Sequence, residues 1–400
     1  MGRSLEEAPF VDPLDPTVRA DPEPVFAALR RESAVARTPV GASVIHREEV
    51  QALLLDPRLV SAIPLLASVQ GVSEGPMAEM LGATVIAVDG PDHARLRRLV
   101  ARSFTPPAAD RHRPAMRRLV DQLVDEFAAS GRCEFVAEFA DHYPVQVICE
   151  VLGVAQEDHH LFARWGDSLT YMLSLELGAH LAEVEKASAG LSEYVDELVA
   201  DRATNPREDL VTSLVQASEG GDRLSPIELR AMIGALLFSG YDTTRNQLGQ
   251  ALVTFCNHPD QWALLAERPE LAPAAVNEVM RLAGAVAGVP RVSTEELEVA
   301  GWTVPAGTVL FLSAASANRD ERFVDDPLTF DITADRPPHF TFGGGAHHCL
   351  GMSLARAEME EALRVLPARM RNVRIDGEPI WRLGTGITGP TELNLRFDPS

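Results

Sequence analysis

Apolar residues recur at helical spacing along most of the chain, and strand-like alternation is confined to a few short segments. Apolar positions three or four apart share one face of a helix, whereas residues on one face of a strand are two apart. The helical pattern predicts helices over 23–32, 96–104, 116–127, 144–151, 160–173 and 181–200. Short strands are expected over 34–37, 42–46, 297–304, 308–312 and 393–397. The pattern therefore predicts a mainly α protein with smaller β sheets.

A further helix is predicted to be long enough to cross the whole molecule. Ser225, Pro226 and Glu228 place a capping hydroxyl, a first-turn proline and a reciprocal carboxylate in the order that a helix start requires. The apolar pattern then continues to Cys256. A helix of that extent has roughly 30 residues and a length of about 45 Å.

The centre of this long helix breaks the usual rules of helix composition. Residues 239–244 are poor or mediocre helix formers, and a glycine alone costs about 1 kcal/mol relative to alanine. We expect a kink or widening there, where Gly240 would let a flat group approach the backbone. Asp242 and Thr243 would then supply an acid and an alcohol for chemistry. The alternative is a small-residue helix crossing with a polar face toward solvent.

Residues 61–92 form the weakest part of the periodic pattern. They are rich in Gly, Ser and Pro, which are typical of turns and loops. We therefore expect a long, mobile, functional loop in this segment.

Composition and charge exclude some classes of function. The chain has 400 residues, of which 46% are hydrophobic, so it can bury a large core. Its net charge of −22 argues against general nucleic-acid binding, because phosphate backbones repel an acidic surface. Residues 95–118 reverse that sign, which indicates an anionic ligand, an acidic partner or simply a solvated helix face. The basic residues of this patch are Arg95, Arg97, Arg98, Arg102, Arg111, Arg113, Arg117 and Arg118.

The cysteines and the N-terminus favour a cytoplasmic protein. Cys133, Cys149, Cys256 and Cys349 lie far apart and form no C-x-x-C pair, which suits a reducing compartment. Residues 1–11 lack the basic start and apolar run of a secretory signal. Apolar stretches are also far shorter than the roughly 20 residues that a membrane span needs.

A glycine-rich segment over 342–351 delivers Cys349 to the start of a predicted helix over 350–366, which Pro367 would end. Amides at a helix N-terminus stabilise a thiolate, and the glycines permit a tight turn with room for a large ligand. A lone cysteine is usually a small buried apolar residue, which is the interpretation we give the other three cysteines. Zinc binding by His347, His348 and Cys349 is a further alternative, but adjacent residues cannot easily point at one ion.

This ten-residue stretch resembles the haem-binding signature of the cytochrome P450 family. The positions on that pattern are Phe342, Gly343, Gly345, His347, Cys349 and Gly351. Residues 239–244 also resemble the family's oxygen-activating segment, with Ser239 where alanine or glycine is usual. The resemblance thus extends over most of the chain.

A structural pair completes the resemblance. Glu278 and Arg281 match the family's E-x-x-R pair, and residues three apart share one helix face. The third member of that network usually follows a Phe-Asp pair at 330–331, where its place is taken by Ala334. Arg336 lies two residues further on and is the candidate replacement.

The resemblance implies one cytochrome P450 domain over 1–400, a triangular α-rich prism. The β-containing parts would lie near 34–60, 290–312 and 375–397. Haem b would lie between the long helix and the cysteine loop, with Cys349 as the axial iron ligand that favours O–O cleavage. By the same resemblance, Asp242 and Thr243 would deliver protons to bound O₂. The haem propionates would be held by His93, Arg97, Arg291 and His347.

The substrate pocket is inferred only from the resemblance, and core packing explains most of its positions equally well. The implied pocket residues are Val85, Ile86, Leu236, Ser239, Gly240, Val286, Ala287 and Thr388. These side chains are mostly small and apolar, so a moderately hydrophobic natural product such as a polyketide, terpenoid or cyclic dipeptide would suit them.

The resemblance also implies a reaction and a partner. Electrons would pass from NAD(P)H through a ferredoxin reductase and a ferredoxin, which would dock on the basic patch beside the cysteine side of the haem. The expected outcome is hydroxylation by a monomeric enzyme. Alternatives are oxidative C–C or C–N coupling, desaturation or epoxidation, and a haem-thiolate sensor without turnover.

Overall fold

The computed structural model describes residues 2–174, 176–219, 224–382 and 386–399. Helices dominate these residues. Their bounds are α1 Pro16–Ala20, α2 Glu23–Glu32, α3 Arg47–Leu53, α4 Ile63–Ser68, α5 Pro76–Gly82, α6 Gly90–Val100, α7 Pro106–Phe127, α8 Tyr143–Leu152, α9 His159–Leu169, α10 Leu177–Thr204, α11 Leu210–Glu219, α12 Pro226–Cys256, α13 Pro259–Glu267, α14 Ala272–Leu282, α15 Ala314–Ala317 and α16 Met352–Arg369.

The strands form small sheets at the side of the helices. Their bounds are β1 Arg3–Ser4, β2 Val35–Thr38, β3 Gly41–Val44, β4 Leu59–Ser61, β5 Arg132–Glu134, β6 Val289–Ser293, β7 Leu297–Val299, β8 Trp302–Val304, β9 Val309–Leu312, β10 Arg371–Ile375, β11 Ile380–Arg382, β12 Gly389–Glu392 and β13 Asn394–Asp398. The largest sheet has the order β2-β3-β9-β6-β4, and the others are β1-β8-β7, β10-β13-β5 and β11-β12. The expected mainly α architecture with smaller sheets is confirmed. Part of the expected strand region, 383–385, lies outside the described residues.

Most elements expected from periodicity are present. The helix over 23–32 is α2, and the strands over 34–37 and 42–46 form the antiparallel pair β2 and β3. One strand prediction was wrong. Residues 297–304 form the hairpin of β7 and β8, because Ala300 and Gly301 turn the chain with positive φ angles of 50° and 81°.

The segment 61–92 is not the long loop that was expected. It contains the short helices α4 and α5, and α6 begins at Gly90. The prolines that suggested a loop instead start helices, since Pro76 occupies the first turn of α5 after Gly75 at a φ of 88°. A proline is well suited to that position, because its missing N–H would have no partner inside the helix.

The long helix α12 has the predicted start and end. The Ser225 hydroxyl accepts a hydrogen bond from the Glu228 amide, and the Glu228 carboxylate accepts one from the Ser225 amide at 2.8 Å. The predicted widening was wrong, because α12 remains α-helical through residues 239–244. The hydroxyls of Ser239 and Thr243 donate back to carbonyls one turn earlier, and burial of the helix outweighs its low propensity.

The helix after the cysteine loop, α16, also differs from expectation. It runs to Arg369, so Pro367 does not end it. Pro367 lies in the last turn, where it removes only one helical hydrogen bond, and the residue is buried. α16 packs along α7, and the two helices are joined by ion pairs from Arg113 and Arg117 to the fully buried Glu361.

The main hydrophobic core joins α6 to α16, and a second cluster lies among the strands of the largest sheet. In the part of the chain that the structure describes, no helix combines the length and the apolarity needed to cross a bilayer.

Candidate active site

The cysteine loop is a tight backbone turn that precedes α16. The Cys349 amide donates to the Phe342 carbonyl at 2.9 Å, and the Gly343 amide donates to the Phe340 carbonyl at 2.7 Å. Gly343 and Gly345 have φ angles of 66° and 64°, which a glycine adopts without strain. A Cβ on Gly345 would lie 2.1 Å from the Leu54 carbonyl oxygen. The loop therefore requires glycine both for its turn and for its contact with the segment after α3.

Two opposing effects act on the Cys349 sulfur. Burial raises the pKa of the thiol above its usual range, while the amides of Gly351 and Met352 and the charge of Arg97 oppose that rise. The helix start therefore stabilises the thiolate as expected, but less than burial disfavours it. A thiolate at this position needs a further positive charge close to the sulfur, as a metal ion would supply.

The two arginines and two histidines expected to hold the haem carboxylates converge beside the cysteine loop. The rings of His93 and His347 have centroids 4.2 Å apart, and an Arg97 guanidinium nitrogen donates to the His348 carbonyl. The pKa of His93 is lowered to about 4, mainly by burial and also by the charges of His347, Arg97 and Arg291, so this imidazole is neutral at pH 7. The structure thus brings together His93, Arg97, Arg291 and His347.

This group of two charged arginines and two hydrogen-bonding imidazoles fits the two carboxylates of haem b. The His93 Nε2 atom is buried and has no hydrogen-bond partner, and the buried Arg291 donates to its neighbouring Pro290 carbonyl at 3.0 Å. The sequence did not predict one contact of this group, which joins Asp89 Oδ1 to His347 Nε2 at 2.8 Å. Together with a sulfur ligand, buried cations and an unpartnered imidazole nitrogen form a donor set suited to a haem. No group of three or more His, Cys, Asp or Glu able to hold a metal ion is found among the described residues.

The Glu278 and Arg281 pair lies buried in α14 and is bidentate. Arg281 donates to both carboxylate oxygens of Glu278, at 2.7 and 2.8 Å, and also to the carbonyl of Pro327 at 2.7 Å. Arg336 Nε lies 3.6 Å from Glu278 Oε1, so the side chain two residues beyond the usual position does reach the network. The pair fixes the chain segment that leads to the cysteine loop.

The centre of α12 carries a hydrogen-bonded acid. Asp242 is 1% exposed, and its two oxygens accept hydrogen bonds from Thr170 Oγ1 at 2.9 Å and from Asn246 Nδ2 at 3.2 Å. Thr243 Oγ1 donates to the Ser239 carbonyl at 2.7 Å. Sequence reasoning missed Thr170, which is 72 residues away from Asp242 and has no local signal. It could have found Asn246, which lies four residues from Asp242 on the same helix face.

Comparisons with known proteins agree with this geometry. A model of the family described as Cytochrome P450 matches residues 74–366. The chain is 38% identical to "Luteothin monooxygenase" of Streptomyces thioluteus, over 98% of this chain and 97% of that protein. It is 36% identical to "Mycinamicin IV hydroxylase/epoxidase" of Micromonospora griseorubida, over 88% of each chain. The crystal structure of CalO2 superposes with a TM-score of 0.92 at 30% identity, over 97% of this chain and 99% of that one.

This chain belongs to the cytochrome P450 family. It is a bacterial P450 of the monooxygenase class, as its relatives are named. The P450 fold that the cysteine motif implied is confirmed. Haem and O₂ are the cofactor and cosubstrate that membership of the family implies.

One wall of the expected pocket in this P450 is attached to α12 through Gln247. Gln247 Nε2 donates to the Ala283 carbonyl and the Ala285 amide donates to Gln247 Oε1, both at 2.9 Å. The Thr388 amide donates to the Ala285 carbonyl at 2.8 Å. Because Gln247 lies four residues after Thr243, this places the half-buried Val286, Ala287 and Thr388 beside the same face of α12.

A second wall of the expected pocket, formed by Val85 and Ile86, is connected to the residues expected to bind the haem carboxylates. The Ser61 hydroxyl donates to the Ile86 carbonyl at 2.7 Å, and the Ser61 amide donates to Asp89 Oδ2 at 2.8 Å. Ser61 also pairs with Arg291 between β4 and β6. Val85 and Ile86 are thus held next to the expected propionate site.

Two residues of α12 that were expected to line the pocket pack against other parts of the protein instead. A Cβ on Gly240 would lie 2.7 Å from Ile148 Cγ1 of α8, so this glycine allows two helices to pack closely. The expectation that Gly240 admits a flat ligand was wrong, because a sequence does not reveal which neighbour faces a small residue. Leu236 is buried in the main core, which agrees with the packing alternative.

The basic patch is divided by ion pairs. Arg95 pairs with Glu228 at the start of α12, and Arg113 and Arg117 pair with buried glutamates of α16. Arg97 turns toward the cysteine loop. Four further arginines of the patch are exposed: Arg98, Arg102, Arg111 and Arg118. The surface available to an acidic partner is therefore smaller than the sequence suggested.

Proposed function

We propose that this P450 takes electrons from a ferredoxin and hydroxylates a moderately hydrophobic natural product. The observation that carries the proposal is the Cys349 loop, whose sulfur lies at the start of α16 beside two converging arginines and two histidines.

In this proposal, the residues of the cysteine side hold haem b. Cys349 is the iron ligand, and Phe342, Gly343 and Gly351 shape the turn that presents its sulfur. The carboxylates of haem are bound by His93, Arg97, Arg291 and His347, since charge-assisted bonds to carboxylates are the strong ones. Glu278, Arg281 and Arg336 keep the loop in place. Bound haem supplies the binding and reductive activation of O₂.

On the opposite side, Asp242 and Thr243 move protons. The Asp242 carboxylate is oriented by Thr170 and Asn246, and it lies next in the chain to the Thr243 hydroxyl. An acid and an alcohol in this arrangement can pass protons into the pocket through water, as general acid–base catalysis requires. Both residues being present favours turnover over the sensor alternative.

The proposed substrate class is supported by the pocket and by the relatives. Val85, Ile86, Val286, Ala287 and the carbon atoms of Thr388 offer mostly apolar surface. The relatives are named for luteothin and mycinamicin IV, and the latter enzyme is named as both a hydroxylase and an epoxidase. Epoxidation and other oxidations are therefore the competing outcomes, which product analysis would separate.

The proposed partner is a ferredoxin, reduced by NAD(P)H through a ferredoxin reductase. An acidic protein would be attracted to the exposed Arg98, Arg102, Arg111 and Arg118 on a chain that is otherwise acidic. We further propose that the protein works as a monomer, as the family resemblance implies, and in the cytoplasm, where its free cysteines would stay reduced.

Reduced holoenzyme with carbon monoxide tests the haem-thiolate assignment. We expect the far-red-shifted Soret band of sulfur ligation in the wild type and its loss in Cys349→Ser, whereas Cys256→Ser should retain it. A wild-type carbonyl complex without that band would overturn the assignment.

Turnover tests the reaction class. A panel of hydrophobic natural products is first screened by the shift of the haem absorption band, and the compounds that bind are incubated with NADPH, ferredoxin reductase, ferredoxin and O₂. We expect consumption of substrate and a product heavier by one oxygen atom. Binding without any O₂-dependent product would favour the sensor alternative instead.

A further inference from the structure

The middle of α12 contains an exposed serine in an otherwise buried helix. From residue 227 to residue 256, all of which the structure describes, Ser239 is the single exposed residue. It lies near the midpoint of a helix that crosses the molecule, with buried residues before and after it. Exposure at such a position indicates an internal space and not the outer surface.

The neighbours of Ser239 identify that space. Residues four apart lie on the same face of a helix, which places Ser239 in line with Thr243 and Gln247. Gln247 binds the segment 283–285, which continues into Val286 and Ala287. Ser239 therefore lies on the face of α12 that is turned toward that segment, which is the side of the proposed substrate pocket.

The hydroxyl of Ser239 can only accept a further hydrogen bond in this conformation. Its single proton is donated to the Ala235 carbonyl at 2.5 Å, and a serine hydroxyl has one proton and two lone pairs. The Thr243 hydroxyl is used in the same way, since it donates to the Ser239 carbonyl. In a pocket that is mostly apolar, an acceptor of this kind fixes the orientation of a ligand.

We propose that Ser239 determines specificity by accepting a hydrogen bond from a hydroxyl or N–H group of the substrate. This inference rests on the proposed function and names the substrate class of the same pocket: molecules that carry a hydrogen-bond donor near the carbon that is oxidised. Ser239 and Thr243 are one turn apart, a rise of about 6 Å along the helix, so the donor would bind within one turn of the proposed proton relay.

Aryl imidazoles test the proposal without knowledge of the substrate. Their imidazole nitrogen binds haem iron, which carries the aryl ring into the pocket. The probes are the 2-, 3- and 4-hydroxyphenyl imidazoles, each compared with its methoxy counterpart, which lacks the donor. Dissociation constants are measured from the shift of the haem absorption band in the holoenzyme.

We expect at least one hydroxyphenyl isomer to bind the wild type about three- to tenfold more tightly than its methoxy counterpart, the range for one neutral hydrogen bond. Ser239→Ala should abolish the preference, and Ser239→Thr should retain it. Thr254→Val is the matched control, because Thr254 makes the same bond to a carbonyl one turn earlier but lies near the end of α12. It should leave the preference unchanged.

Two results would overturn the proposal on its own. One is the absence of any preference in the wild type, and the other is a preference that Ser239→Ala keeps. In both cases the carbonyl complex of the wild-type holoenzyme would still show the shifted Soret band of sulfur ligation, which is called the sulfur signature below. Loss of that signature in the wild type would instead overturn the proposed function, and the role of Ser239 with it. Thermal melting of each variant, followed by circular dichroism, shows that differences in binding do not come from unfolding.

Discussion

The two sides of the active site are held by different kinds of contact. On the cysteine side the contacts are buried ion pairs: Arg281 binds Glu278 through both oxygens, and the fully buried Glu361 accepts from three arginines. On the α12 side, the acid Asp242 is held by uncharged hydroxyl and amide donors, such as Thr170, and the nearest ion pair of this helix joins Arg245 to Asp141. The cysteine side is therefore costly to change, while the α12 side can vary its chemistry without loss of the fold.

The largest effect is expected from breaking the buried pair on the cysteine side. Glu278→Gln removes the charge that compensates Arg281, which is 2% exposed, and such a loss costs about 3–5 kcal/mol. Denaturant unfolding and the haem content of the purified protein measure the effect. Arg336→Gln is the control, since its nitrogen lies 3.6 Å from the same carboxylate and it should cost about 1 kcal/mol or less. Equal losses of unfolding free energy in both variants would contradict the conclusion that Glu278 is stabilised mainly by its pair with Arg281 and only weakly by Arg336.

A change at the acid of α12 should affect the rate and not the fold. Asp242→Asn keeps the size of the side chain but removes the proton-exchanging carboxylate, so product formation should fall about a hundredfold. The carbonyl spectrum and the melting temperature should remain those of the wild type. Asp167→Asn, an exposed carboxylate on α9, is the control. A normal rate in Asp242→Asn would exclude this residue from proton delivery.

Substitution of two glycines of α12 tests whether Gly240 serves helix packing or ligand access. In Gly240→Ala the new methyl group would lie 2.7 Å from Ile148, so we expect a loss of about 1–2 kcal/mol in unfolding free energy. In Gly234→Ala the nearest atom would be 3.4 Å away, and the gain in helix propensity should make it neutral or slightly stabilising, by up to about 1 kcal/mol. Chemical denaturation checks both values. A stable Gly240→Ala variant that no longer binds ligands would restore the interpretation that this glycine admits a flat group.

The smallest effect is expected at the surface of the cysteine side. Arg102→Glu should slow reduction by ferredoxin roughly three- to tenfold at low ionic strength and weaken the dependence on salt, because exposed charges mainly affect association. Stopped-flow reduction of the holoenzyme measures it. Arg371→Glu, an exposed arginine of β10, should leave the rate unchanged. If both variants are slowed equally, net charge and not a defined surface controls the rate.

The cysteine loop was predictable because the local sequence determines it. Its turns need glycine at 343 and 345, and the hydrogen bond from Cys349 to Phe342 spans seven residues. The capping box of α12 is local in the same sense. Arg336 could be proposed because it lies close in sequence to the position that it replaces.

The contacts that were missed join distant parts of the chain. Thr170 reaches Asp242 across 72 residues, and Asp89 reaches His347 across 258. The sequence also could not show that Gly240 faces Ile148, because helical periodicity defines a face but not the neighbour of that face. Ion pairing likewise reduced the basic patch, since Glu228 and Glu361 lie far from it in sequence.

Asp89 connects the ligand side of the molecule to the haem edge. One of its oxygens accepts from the Ser61 amide while the other contacts His347, and the Ser61 hydroxyl binds the carbonyl of Ile86. A ligand that displaces the chain at Ile86 must therefore also strain the imidazole two residues before Cys349. In the proposed haem enzyme, a bound molecule that does not touch the iron would in this way still act on the loop that carries the iron ligand.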